Sequence, residues 1–290
     1  MTKKNKDPTS TLTMRLRALA DIRRRFKELK RVVIRWVLSY LNRKLLVNAE
    51  DFEYQYQDMS IDEFQEWLNR QIELIILENR GEWLTKYTRD TFKRGIMKTK
   101  SEIQSILTKS GFYNDITSSL VSDTLGTSSS FVSPLLSEAP LSNPIYLSRA
   151  NLLETRVFTQ LKGVTETMSS QMSTILSDGL LKGKNPRAVA RELAERVDKI
   201  GITRANLIAR TEMINAHNTG SILEASVSQE TSGIEIKMRW LTALDGRERP
   251  THRARHKKIY DRVEASNLIG EPNCRCSVTA FAPALAKYYD

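Results

Sequence analysis

Between residues 11 and 47, TLTMRLRALADIRRRFKELKRVVIRWVLSYLNRKLLV, apolar side chains return every three or four positions, at Leu16, Leu19, Ile22, Phe26, Leu29, Val33, Trp36 and Val37. That is the period of an α-helix, and it gathers these side chains into one stripe that must be buried against another surface. The stretch predicts one long helix or two. Arg17, Arg23, Arg24, Lys27, Lys30 and Arg31 fall largely off the stripe, so one face packs while the other presents cations. Residues 1–10, ahead of the periodic segment, read as disordered.

Charge sharpens this picture. Residues 1–50 hold 14 Lys and Arg against 4 Asp and Glu, a net of +10 out of +11 for the whole chain. A basic segment on a near-neutral body suits a polyanionic partner such as nucleic acid, or an acidic protein face. The residues expected to make that contact are Arg15, Arg17, Arg23, Arg24, Arg25, Lys27, Lys30, Arg31 and Arg35. No apolar run approaches the ~20 residues of a membrane-spanning helix. The N-terminus lacks the apolar core of a secretory signal. Two cysteines make no disulfide framework. The expectation is a soluble, intracellular protein.

Further helices follow. Residues 48–60 read as a polar loop. Ser60 with Glu63 three positions on forms a capping-box pattern for a helix over 59–80. Gly81 closes it, and another helix covers about 82–108. Residues 110–143 are rich in Ser, Thr, Gly and Pro and read as a linker. Helical pattern resumes over 145–182. Asn185 and Pro186 pair an N-cap with a proline at the first helical position. Gly201 is expected to stop that helix, and Thr203 to cap the next. Past Gly233 the period changes to two, with Ile234, Ile236, Met238 and Trp240 on one side of a strand. Short loops and small strands complete residues 242–283. The fold class is α+β, predominantly helical, with a small C-terminal sheet and a loop knot. The division expected is a basic helical region over 1–109, a linker over 110–143 and a C-terminal domain over 144–290.

The residues with chemistry crowd into the C-terminal domain. Helical spacing aligns Thr211, Asn215 and Asn218, with Arg210, Ile214 and His217 on the adjacent line. This polar face either binds a ligand or forms a buried network against the sheet. The run 240–261 carries His252 and His256 as H-x3-H, which on a helix would place both imidazoles on one side, among Arg247, Arg249, Arg253, Arg255, Lys257 and Lys258. EPNCRC, residues 271–276, holds the only two cysteines. On an extended chain the thiols of Cys274 and Cys276 point the same way and can share one Zn²⁺. His252 and His256 would complete four ligands, with Asp245 a spare oxygen. The other reading is two small buried hydrophobic side chains. There is no P-loop and no G-x-G-x-x-G.

Taken in order, KNPRAVARELAERVDKIGITRANLIARTEMINAHNTG, WLTALDGR, His252 and EPNCRC resemble the phage head morphogenesis family of Mu F-like minor head proteins. The resemblance covers roughly residues 145–283. It implies motif positions at Arg210, Thr211, Glu212, Asn218, Trp240, Asp245, His252, Pro272, Cys274, Arg275 and Cys276. Many members carry a CxxC where this chain has Arg249 to His252, and that pair with the final CRC would bind zinc through four thiols. Here the fourth ligand would have to be His256 or Asp245. The resemblance further implies a non-enzymatic minor capsid protein of a tailed phage, located in the virion near the portal. Its expected partners are the portal protein, major capsid or scaffold proteins and packaged double-stranded DNA. The rival expectation is a phage-carried metal-dependent nuclease or toxin using the C-terminal His/Cys block.

Overall fold

The computed structural model describes residues 7–43, 45–47, 54–56, 61–111 and 143–289. Residues 1–6, Ser60 and nearly all of the Ser/Thr/Pro-rich stretch lie outside them. The fold is mainly helical α+β, with a three-stranded antiparallel sheet near the C-terminus.

The chain enters its first helix through a defined turn, where disorder was expected. The Asp7 carboxylate accepts hydrogen bonds from the Thr11 amide at 3.0 Å and the Thr9 hydroxyl at 2.7 Å. The first of these satisfies a backbone donor that the helix start leaves open, and the second braces the turn before it. Helix α1 runs Leu12–Arg43. The stripe is buried from Leu19 onward, with Ile22, Phe26, Leu29, Val33, Val37 and Leu41 all at 0% exposure and Trp36 half-buried, but Leu16, expected on the stripe, is 57% exposed. The helix ends earlier than residue 47. Strand β1, Leu45–Val47, pairs antiparallel with β2, Tyr54–Tyr56, inside the expected loop.

Helix α2, Ile61–Ile72, passes through a π turn, Glu73–Leu77, into α3, Glu78–Lys109. The break falls where Gly81 marked it, but it takes three residues. Asn79, Arg80 and Gly81 have φ of 48°, 58° and 67°. Helix α4, Pro144–Leu181, and helix α5, Pro186–Arg196, follow. The Asn185 side chain accepts from the Arg187 amide at 2.9 Å, the predicted cap.

Gly201 does not stop a helix. A π turn, Val197–Ile202, carries the chain without interruption into α6, Thr203–Ser232, and Thr203 has helical φ and ψ. Gly201 is needed for packing instead. A Cβ there would lie 2.3 Å from the Phe26 ring and 3.2 Å from the Met168 sulfur. The sheet then forms from β3, Lys237–Leu241, β4, Ile259–Tyr260, and β5, Ser277–Phe281, in the order β4-β3-β5. Trp240 stands opposite Val278, and Met238 opposite Tyr260. Two short helices, α7 (Pro250–Ala254) and α8 (Arg262–Leu268), lie between the strands, and a 3-10 helix, Pro283–Tyr288, closes the described chain.

These elements form two compact units. One comprises Arg15–Lys86 and Thr155–Ala209 and is built of helices with the β1-β2 hairpin. In it Lys30 pairs with Asp198, and the Ser169 hydroxyl bonds the Asn69 side chain at 2.8 Å. The other comprises Met1–Met14, Tyr87–Glu154 and Arg210–Asp290. It packs Ile103, Leu107 and Ala225 against the buried face of the sheet, Met238, Trp240, Val278 and Ala280, together with both cysteines. No described helix is long and apolar enough to cross a membrane.

Candidate functional site

In the second unit α6 is unusual for a long helix. Every residue from Thr211 to Ser221 is buried, and most of them are polar. Such a run is stable only where its polar groups find partners or accept neutrality. The Thr211 hydroxyl accepts from the Asn273 amide at 3.1 Å. The Asn218 side chain donates to the Cys276 carbonyl at 3.1 Å and accepts from the Val278 amide at 3.2 Å. Asn218 thus substitutes for a strand at the edge of β5 and holds the EPNCRC loop to the helix. Gly270, at φ 85°, lies where a Cβ would stand 3.0 Å from the Asn215 amide oxygen. The polar face of α6 is therefore a buried network fastening the loop. Arg210, one residue earlier, is exposed, while Glu212 is buried.

His217 sits at the crossing of α3 and α6. A Cβ on Gly95 would fall 2.0 Å from the His217 carbonyl oxygen, and one on Gly220 would fall 2.4 Å from the Phe92 carbonyl oxygen. Only glycine allows the two backbones this close. The imidazole is fully buried; among the described residues neither ring nitrogen meets a partner in good hydrogen-bond geometry, and the Asn218 side chain beside it acts against the burial effect only weakly. Burial, reinforced by the nearby positive charge of Lys98, pushes its pKa from 6.5 down to about 4.

The loop knot brings His252, Cys274 and Cys276 together. All three are buried, and one donor atom from each lies within 4.8 Å of the others. His252 Nδ1 is 3.4 Å from Cys274 Sγ and 3.5 Å from Cys276 Sγ. The two thiols are coupled. The hydrogen bond from Cys276 holds Cys274 below the usual thiol range, and the same bond together with burial pushes Cys276 up. On its other side, His252 Nε2 meets Glu271 Oε2 at 3.0 Å. Trp240 presents its ring edge-on to His252, and the Arg255 guanidinium lies over that ring.

His256 and Asp245 stand outside this cluster, against the sequence expectation. Helix α7 ends at Ala254, so the H-x3-H spacing is not carried by one helix. The chain turns at Lys257, with φ 66°, and His256 Nδ1 accepts the Thr242 amide at 3.0 Å. Asp245 is spent on guanidiniums. Arg275 pairs with both its oxygens, and Arg247 Nη2 reaches it at 2.8 Å. Arg275, then Arg247, hold the Asp245 carboxyl well below the usual range. Pro272 is exposed and contributes its carbonyl, which accepts from Arg249 at 2.9 Å.

The three clustered donors suit a thiophilic cation. Zn²⁺ at about 2.3 Å from sulfur and about 2.05 Å from nitrogen, in a tetrahedron, sets each sulfur roughly 3.5 Å from the nitrogen. The two S to N distances already match that value. Glu271 was overlooked in reading the sequence, although it stands within the quoted EPNCRC. A carboxylate three residues before a cysteine carries no periodic signal, and only the fold brings it to His252.

The cations of α1 divide into two groups in the helical unit. Arg15 is buried, Arg25 donates to the Ile75 carbonyl at 2.7 Å and lies over the Trp83 ring, and Lys30 pairs with Asp198. Arg17, Arg23, Arg24, Lys27, Arg31 and Arg35 are exposed. At 3.6 residues per turn they occupy an arc of about 120° that borders the buried stripe on one side. The helix is thus a core element of its unit, and six of the nine expected cations remain on its surface.

Comparison with known proteins gives three findings. The family model of the Phage Mu protein F like protein matches residues 170–279. An uncharacterized protein of Methanocaldococcus jannaschii is 22% identical over 151 residues, which are 51% of this chain and 23% of the relative. The chain thus spans under a quarter of that relative's length. No solved structure matches.

Proposed function

We propose that this chain, which through residues 170–279 supports a place in the phage Mu F-like head morphogenesis family, is a minor structural protein of a tailed-phage head. The family match carries the reading. Its role is assembly or genome delivery, within the head and beside the portal, with major capsid or scaffold proteins as further neighbours. The engagement of Asp245 with Arg275 and Arg247 favours a structural part for the loop knot over a water-activating one.

The exposed cations of α1 are the surface offered to DNA. If all six meet phosphates of a duplex, affinity should fall with salt at a log–log slope of about −5. Cys274, Cys276 and His252 would hold a cation such as Zn²⁺, and its contribution would be structural, closing the loop onto β5 and α6. Quantitative mass spectrometry of purified particles tests the main reading. A few copies in full particles are expected. Presence in full and loss from emptied particles would make it an ejected protein, and absence from both would sink the virion assignment. A filter-binding titration that finds no DNA retention at low salt would remove the DNA contact alone. A divalent-metal nicking assay with Asp245→Ala as control is expected to give no activity.

A further inference from the structure

A neutral imidazole has one nitrogen that donates and one that accepts. Which is which in His252 is decided by its neighbours. Nε2 faces the Glu271 carboxylate oxygen at 3.0 Å, and an ionised carboxylate only accepts. The proton therefore belongs on Nε2. The lone pair is left on Nδ1, the atom that lies 3.4 and 3.5 Å from the two sulfurs.

Glu271 is itself fixed. Arg249 Nη1 reaches its Oε2 at 2.9 Å, and Arg255 reaches its Oε1 at 3.5 Å. Arg249 also binds the Pro272 carbonyl, clamping the loop on both sides of the Glu271–Pro272 peptide. The Glu271 carbonyl accepts the Cys274 amide at 3.1 Å, and the Cys276 amide points at Cys274 Sγ at 3.4 Å. One residue therefore aims the histidine with its side chain and shapes the cysteine turn with its backbone. An ion pair serving stability alone would not need to contact the ring of the one histidine in the cluster.

We propose that Glu271 is the positioning residue of the metal site. It holds His252 as the Nε2–H tautomer and directs Nδ1 to the cation between Cys274 and Cys276. Arg249 and Arg255 hold Glu271 for this task. The inference rests on the metal reading of the trio.

The test uses the full chain, reduced and stripped by chelator, then titrated with Co²⁺, and with Zn²⁺ against a chromophoric competitor. The wild type is expected to take one cobalt with thiolate-to-cobalt charge transfer. Glu271→Gln should keep the stoichiometry and the apo melting temperature while binding Zn²⁺ about 10–100-fold more weakly. Long-range proton–nitrogen spectra of His252 should show a single Nε2–H tautomer with Nδ1 shifted by Zn²⁺. In Glu271→Ala that preference should be lost. Zn²⁺ affinity of Glu271→Gln within twofold of wild type, or ligation of the wild type through Nε2, overturns the proposal and leaves the metal reading standing. Failure of the wild type to take up cobalt overturns both.

Discussion

Replacing Gly95 by alanine tests the closest approach in the sheet-bearing unit. The new Cβ would lie 2.0 Å from the His217 carbonyl oxygen and 3.1 Å from the Ser221 amide nitrogen, both backbone atoms that cannot rotate aside. A carbon and a carbonyl oxygen approach to about 3.3 Å, so α3 and α6 would have to part by roughly 1.3 Å. A gap of about 0.5–1 Å already forfeits a quarter to a half of the dispersion energy of each contact it opens. The contacts at stake are those of Phe92, Ile96 and Ala216 with Tyr146, Ala150 and Leu153. Overpacking costs about 1–3 kcal/mol, with more for rigid neighbours. Alanine in place of glycine inside a helix returns roughly 1 kcal/mol. A net loss of about 2 kcal/mol is expected, which lowers the melting temperature by about 4–8 °C. Gly163, inside α4, is the control, because its Cβ would meet nothing within 4 Å. Gly163→Ala should therefore raise stability by about 0.5–1 kcal/mol. Thermal unfolding followed by circular dichroism measures both. If Gly95→Ala melts at or above the wild type, the helices are not in backbone contact and the reasoning fails.

Acidification should weaken the protein through His217. The unfolded chain takes up a proton near pH 6.5 and the folded one resists it down to about 4, so the folding stability is complete above 6.5 and falls between these limits. The difference of about 2.5 pH units corresponds to roughly 3 kcal/mol. His217→Gln should flatten the urea-denaturation profile over that window, against the unchanged background of Lys98, Arg94, Asp7 and the raised carboxyls of Glu102 and Glu224. An identical slope in the variant refutes the assignment. Asn218→Ala strands the buried Cys276 carbonyl and Val278 amide, and at about 1–3 kcal/mol for each it should cost about 3 kcal/mol by denaturant titration. The double change Cys274→Ser and Cys276→Ser should lower the melting temperature of the zinc-loaded protein and abolish its response to chelator. An unchanged melting temperature would mean that neither metal nor thiol packing matters. Gly201→Ala, driven against the Phe26 ring, should destabilise the helical unit, read as earlier amide exchange in α1 and α5 than in the wild type.

Much of this molecule is written in local pattern. The stripe from Ile22 to Val37, the Asn185–Pro186 cap and the alternation at Met238 and Trp240 each depend on neighbours within a few residues and form as their spacing demands, although the strand begins at Lys237, after Ile234 and Ile236. The failures share a cause. Gly201 has the local signature of a stop, yet the chain stays helical through it because the space a side chain would need is filled by Phe26, far away in sequence. His252 and His256 have ligand spacing only on a helix that continues, and α7 ends between them. The same rule divides the site. Cys274, Cys276 and His252 were legible as a soft-donor set by residue type. Glu271 was not, because its role is set by the ring nitrogen it faces across a loop closure. What a position contributes to the knot therefore follows from its partner rather than its neighbours, and the residues most worth substituting are those whose partners lie far along the chain: Gly95, Asn218 and Glu271.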